Sequence, residues 1–156
     1  LKERLIDLAE REIIREERVP CHNDTVPENF IRDSVSGKSF LIDWEYSGMN
    51  DPAWDVAMYG LESRLSEQAT GDFLSRYYGT SDLGRDVYMK LKIMCLAQDL
   101  LWSVWGVIRH YSGEDFLEYL STRYERFRNN LDLVESDLDY PLHKMVKNEG
   151  RKIYGY

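Results

Sequence analysis

The sequence predicts an α+β domain that is mainly helical and carries one small β-hairpin. Apolar residues recur at helical spacing through most of its 156 residues. The period breaks into two short β-prone runs only at Phe30–Asp33 and Ser39–Trp44, which are separated by the turn-forming Ser34-Val35-Ser36-Gly37. A hydrophobic share of 43% with 13% aromatic residues supplies a core for one compact domain.

From the start, Leu1–Arg18 has Leu5, Leu8, Ala9, Ile13 and Ile14 on one helical face and Glu/Arg on the other. Val19–Asn29 follows as a polar loop with two prolines, a composition that suits exposed chemistry better than packing. The hairpin comes next. Ala53–Leu65 aligns Val56, Ala57, Gly60 and Leu61 on a helical face, with Pro52 tolerated at its start because the first N–H groups have no intrahelical partner. A short helix over Ser66–Tyr78 ends at Gly79, and the longest helix, Asp86–Tyr111, stops at Ser112-Gly113. A last helix spans Glu114–Asn129 with Phe116, Tyr119, Leu120, Arg123, Tyr124 and Phe127. Beyond Leu133 the chain is charged, less periodic and interrupted by Pro141, so no element is assigned there.

The formal net charge of −8 and the lack of clustered Lys and Arg exclude a phosphate-tracking nucleic-acid surface. Cys21 and Cys95 lack metal-site spacing and fit inert thiols in a reducing cytoplasm. No uninterrupted apolar run reaches the roughly 18 residues of a membrane span, and the charged first residues do not make a signal peptide. The expectation is a cytoplasmic protein.

The chemistry concentrates in His22-Asn23-Asp24-Thr25-Val26-Pro27-Glu28-Asn29 and, after the hairpin, Leu41-Ile42-Asp43-Trp44-Glu45-Tyr46. A loop aspartate can take the proton of an attacking hydroxyl and orient it towards the γ-phosphate of ATP, which suits Asp24. Mg²⁺ prefers hard oxygen ligands, usually one or two side chains with phosphate and water, which suits Asn29 and Asp43. The hairpin would return Asp43 beside the first loop. Asp24 alone could be a chance acid in a loop; both motifs in this order point to kinase chemistry.

The pair is similar to the His-x-Asp-x-x-x-x-Asn loop and metal-binding Asp of kinases. The longer run Asp43-Trp44-Glu45-Tyr46-Ser47-Gly48-Met49-Asn50-Asp51-Pro52-Ala53-Trp54-Asp55 resembles the choline/ethanolamine kinase branch of the aminoglycoside-phosphotransferase-like superfamily, its bacterial choline kinases above all. The resemblance implies the C-terminal lobe of a protein kinase-like fold over residues 1–156, with the hairpin bearing the catalytic and metal-binding loops. It implies Asp24 as catalytic base, His22 as support of its loop, Asp55 as a buttress, and Asn29 and Asp43 as ligands of Mg²⁺ and the ATP phosphates. Glu45 is left between a metal contact and a structural role.

Choline's quaternary nitrogen has no hydrogen to donate, so its recognition calls for aromatic faces. Trp102 and Trp105 lie three apart on one helix, a spacing that in isolation is ordinary core packing. In the family resemblance they correspond to pocket tryptophans, joined by Tyr46, by Tyr119 with Tyr124 as its competitor, and by Glu62 near the substrate cation. His110 and His143 are assigned no function. The implied reaction is phosphorylation of choline. Ethanolamine, an aminoglycoside or another amino alcohol is the alternative substrate, and a catalytically silent binding module is the alternative class. A kinase of this kind also needs an N-terminal nucleotide-binding lobe, for which this chain has neither a Gly-rich loop nor the phosphate-contacting Lys. The expectation is therefore a lobe with little turnover alone, whose uncovered face could promote self-association.

Overall fold

The computed structural model describes residues 1–12 and 18–138. The chain divides into two compact units, Ile13–Leu91 and Leu1–Glu12 with Lys92–Tyr156.

In the first unit, β1 (Val19–Cys21) pairs antiparallel with β4 (Gly48–Asn50), Val19 facing Asn50 and Cys21 facing Gly48. β2 (Phe30–Arg32) pairs antiparallel with β3 (Ser39–Leu41), Phe30 facing Leu41 and Arg32 facing Ser39. Its turn is built by Asp33, whose carbonyl accepts from Gly37 N at 2.8 Å and whose carboxylate accepts from Val35 N at 2.9 Å and from the Ser36 hydroxyl. Gly37 closes the turn at φ +70°, a left-handed conformation that glycine adopts without a Cβ clash. The Ser36 hydrogen bond, then that from Val35, holds the Asp33 carboxyl below its ordinary pKa.

α2 (Pro52–Glu62) starts at Asp51, whose carboxylate accepts from Ala53 N at 2.9 Å and pairs with Lys90. α3 (Glu67–Tyr78) is capped by Ser66, which accepts from Ala69 N at 3.3 Å, and ends on Gly79 at φ +72°. α4 (Arg85–Tyr111) begins in this unit. Cys21, Ala53, Val56, Ala57, Met58, Leu61, Leu74 and Met89 are its buried apolar residues, with Leu91 at its edge.

The second unit holds α1 (Lys2–Glu12), the remainder of α4 and α5 (Leu117–Leu138). Leu5 and Leu8 of α1, Ile93 and Leu96 of α4, and Phe127, Leu131 and Val134 of α5 are buried. Arg4 pairs with Asp132 at 2.6 Å and with Glu135. Fully buried Asp99 on α4 accepts from Arg126 Nε at 2.7 Å and lies 3.4 Å from Arg123, both on α5. At Gly106 the helices approach closely: a Cβ there would stand 2.9 Å from Leu120 Cβ and 3.3 Å from Tyr119 Cδ1.

Several expectations change. Val19–Cys21, taken as loop, forms a strand; β3 stops at Leu41, after which Trp44–Tyr46 makes a 3₁₀ turn. α5 runs to Leu138 because its buried stripe of Phe127, Leu131 and Val134 continues past Asn129. α1 is helical over Lys2–Glu12, while Ile13 and Ile14, like Pro141 and His143, lie outside the described residues. Finally, α4 is long and apolar enough, by length and composition alone, to cross a membrane. The buried Asp99 ion pairs near its middle are the signature of a helix packed against protein.

Candidate active site

The first loop is held from behind by α2. Asp55 accepts from His22 N at 2.8 Å through Oδ2 and from Asn23 N at 2.8 Å through Oδ1, so a single carboxylate fixes two successive amides. The Asp55 carbonyl accepts from the Thr25 hydroxyl at 2.6 Å, and the Asn23 carbonyl accepts from Trp54 Nε1 at 3.2 Å. The imidazole of His22, 2% exposed, ties this loop to the other motif. Its Nδ1 faces Asp24 N at 3.2 Å and must accept there, which leaves Nε2 to donate to the Ile42 carbonyl at 2.7 Å. Trp44 packs edge-on against it at 4.7 Å.

Asn29 is buried at the end of the 3₁₀ turn Pro27–Asn29. Its Nδ2 donates to the Asp24 carbonyl at 2.9 Å and to Asp24 Oδ2 at 3.2 Å, leaving Oδ1 as its acceptor atom. The Asn29 carbonyl accepts from Ile42 N at 3.0 Å. Ile42 therefore bonds to both His22 and Asn29, and the next residue, Asp43, adopts the left-handed region at φ 63° with its side chain exposed. The turn thus brings Asp24, Asn29 and Asp43 to one place.

Burial raises the pKa of the half-buried Asp24 carboxyl. The Asn29 hydrogen bond opposes that shift, while the negative charges of Asp43 and Glu45 add to it. The outcome is a carboxylate more basic than an ordinary surface one, as proton acceptance requires. Among the described residues no three His, Cys, Asp or Glu side chains converge as a metal cluster. One carboxylate and one carboxamide oxygen fit Mg²⁺ provided that phosphate and water complete its octahedron.

Within the α4–α5 unit, Trp102 and Trp105 meet edge to face at 5.6 Å. Trp105 also meets Phe116 at 5.0 Å and Tyr119 at 6.0 Å. Arg109 stands 5.5 Å above Trp105 while its guanidinium pairs with Glu114 at 2.6 Å, and Arg123 stands 4.7 Å above Tyr119. Tyr124 is exposed and enters none of these ring contacts.

Residues 3–74 match the family model for choline/ethanolamine kinase. LicA of Haemophilus influenzae is 36% identical over 111 residues, covering 68% of this chain and 41% of that protein. The crystal structure of choline kinase LicA from Streptococcus pneumoniae superposes with a TM-score of 0.74 at 40% identity, over 84% of this chain and 46% of that one. The chain belongs to the choline/ethanolamine kinase family. Mouse ethanolamine kinase 2 is a further relative, 32% identical over 69% of this chain and 33% of its own length. A LicA crystal structure in complex with AMP also superposes, with a TM-score of 0.74 at 39% identity, over 85% of this chain and 46% of that one. The chain spans less than half the length of these relatives, and what it matches is the C-terminal, mainly helical lobe of the choline kinase-like fold.

For this family member, His22, Asp24, Asn29 and Asp55 are joined by one hydrogen-bond system in the Ile13–Leu91 unit, and Asp43 directly follows Ile42, which bonds to both His22 and Asn29. Tyr46 and Glu62 belong to the same unit, Tyr46 exposed on the turn after Asp43 and Glu62 half-buried at the end of α2. Trp102, Trp105 and Tyr119 cluster in the other unit. Phe116, absent from the sequence-derived site, joins them, and its signal was there to read: an aromatic three residues before Tyr119. Asn23 was also missed: it holds a left-handed backbone at φ 67°, which residue type only weakly announces.

Proposed function

We propose that this chain is the catalytic and substrate-binding lobe of an ATP-dependent kinase that phosphorylates the hydroxyl of choline, acting with an N-terminal nucleotide-binding lobe. The observation that carries the reading is Asp24: half-buried, raised in pKa, and bonded to Asn29. Its carboxylate takes the hydroxyl proton as the hydroxyl oxygen attacks the γ-phosphorus in line, forming phosphocholine and leaving ADP. Asn29 Oδ1 and the Asp43 carboxylate would hold Mg²⁺, which neutralises phosphate charge when bound. His22 and Asp55 contribute no proton. They hold the loop so that little reorganisation is left for the moment of transfer.

The aromatic cluster of Trp102, Trp105, Phe116 and Tyr119 supports a quaternary-ammonium substrate. Ethanolamine is the second reading, favoured by the likeness to mouse ethanolamine kinase 2. A primary ammonium donates hydrogen bonds and would draw on Glu62 rather than on ring faces. A silent binding module would have no chemical use for Asp24, Asn29 and Asp43 together. ATP as donor and two buried thiols outside any disulfide, Cys21 and Cys95, suit a cytoplasmic setting.

The test is ATP-dependent phosphorylation of choline and of ethanolamine by the two-lobed enzyme, with Asp24→Asn as the shape-preserving control. Choline turnover that falls by about 10²-fold or more in the variant supports the reading. Equal turnover in wild type and variant removes Asp24 from the chemistry, and turnover of ethanolamine alone moves the substrate to the second reading.

A further inference from the structure

One chain of side-chain amides links the candidate catalytic loop to the turn that follows Asp43. It starts at the cap of α2, where Asp51 N donates to Asn50 Oδ1 at 2.9 Å. That bond fixes which way the Asn50 amide faces, because a backbone N–H can meet only the oxygen. Asn50 Nδ2 then points away and donates to Asn23 Oδ1 at 2.9 Å. With its oxygen occupied, Asn23 in turn presents Nδ2, which donates to the Tyr46 carbonyl at 2.9 Å. Each bond dictates the direction of the next, so the amide orientations follow from the backbone end of the chain.

Asn23 is the junction. Its N–H goes to Asp55, its carbonyl to Trp54, its Oδ1 to Asn50 and its Nδ2 to Tyr46. It precedes Asp24 in sequence and holds a left-handed backbone at φ 67°. The Tyr46 carbonyl belongs to the 3₁₀ turn Trp44–Tyr46, which opens on Asp43, itself left-handed at φ 63°. A displacement of this turn would move Asp43, whereas Asp24 is held by other bonds: its N–H donates to His22 Nδ1 and its carboxylate accepts from Asn29.

We propose that Asn23 is a positioning residue that sets the Asp43 carboxylate relative to Asp24, and that Asn50 orients it. The inference rests on the kinase reading, in which Asp43 holds the divalent metal. Two substitutions separate amide from backbone. Asn23→Gly keeps the positive φ at no steric cost but deletes both side-chain bonds. Asn50→Asp keeps size and the bond from Asp51 N but cannot donate to Asn23 Oδ1, so it sets oxygen against oxygen and turns the Asn23 amide away from Tyr46.

The experiment measures Mn²⁺ binding in the presence of ATP by electron paramagnetic resonance, the Mg²⁺ dependence of turnover, and the melting temperature of the two-lobed enzyme. Both variants are expected to weaken Mn²⁺ binding by about 10-fold, the lower end of what groups that orient a metal ligand contribute. They should raise the Mg²⁺ concentration for half-maximal turnover similarly and shift melting by only a few degrees. Asn23→Ala adds backbone strain and should melt lower than Asn23→Gly while binding metal no better. Wild-type metal affinity in both Asn23→Gly and Asn50→Asp overturns the proposal. Weakened Mn²⁺ binding without turnover of any amino alcohol sustains it and faults only the substrate assignment. A wild-type protein that binds no Mn²⁺ with ATP defeats the kinase reading and the proposal together.

Discussion

Asp24 shows how one residue can trade stability for chemistry. Its folded-state pKa is raised, chiefly by burial, so the folded protein holds this proton more tightly than the unfolded chain does. The stability this contributes is present in full below the ordinary value of 3.8 and is lost as pH rises through the raised folded-state value. Ionised Asp24 is therefore a net cost at neutral pH, and Asp24→Asn should melt higher than wild type there, the advantage disappearing as the pH approaches 3.8. The same shift places the acidic limb of kcat/KM above the range of an ordinary carboxylate. Melting curves and rates over pH 3 to 8 check both; a variant less stable than wild type at pH 7 would mean that the Asn29 hydrogen bond outweighs burial. The candidate roles of Asp24, Asn29 and Asp43 were legible in the sequence because metal and proton chemistry narrow the usable residue types. Asn23 and Asn50 were not, since many uncharged residues fit a loop or strand end until the backbone angles and facing atoms are known.

At the scale of elements, periodicity read the helices well and pairing poorly. α2, α3 and α4 end within a few residues of their expected limits, because Asp51, Ser66, Gly79 and Gly113 punctuate them in sequence as they do in space. β1 was hidden by Pro20, which argues against a strand, and by a partner some thirty residues away; only the ladder with Gly48–Asn50 defines it. α5 was cut short at Asn129, although Leu131 and Val134 continue the face that Phe127 begins. The α4–α5 pair depends on a group that no period announces. Asp99 is fully buried and ion-paired with Arg123 and Arg126, so removing the carboxylate takes a counter-charge from two largely buried guanidinium groups. Asp99→Ala should destabilise by about 3–5 kcal/mol. Replacing Asp99, Arg123 and Arg126 together by apolar residues of similar volume should be milder, because both sides of these ion pairs are then removed together. Urea unfolding midpoints give the comparison, and a single variant within 1 kcal/mol of wild type would show that water already reaches the pair.

For the molecule as a whole, the residues that the sequence offers as candidates for proton and metal chemistry lie in Ile13–Leu91 and the aromatic rings on α4 and α5, and these fall in different compact units. That division predicts a division of kinetic labour in the proposed reaction. Groups at Asp24 and Asp43 act on the transferring phosphoryl group and should govern kcat, whereas the rings act on a substrate cation that stays unchanged and should govern KM. Trp105 is the sharpest probe, because it touches Trp102, Phe116 and Tyr119 and carries Arg109 over its ring. Trp105→Ala removes a π face worth about 1–2 kcal/mol to a desolvated cation, so KM for choline should rise roughly 10-fold with kcat changed less. Trp105→Phe retains a smaller face and should recover part of the loss. Ethanolamine, which can bind through hydrogen bonds, should lose less than choline. Steady-state kinetics on both amines distinguishes this from a purely packing role: if the two substrates lose affinity equally and melting falls in parallel, the cluster is core rather than pocket. If KM for choline alone rises while melting holds, the rings recognise the quaternary cation.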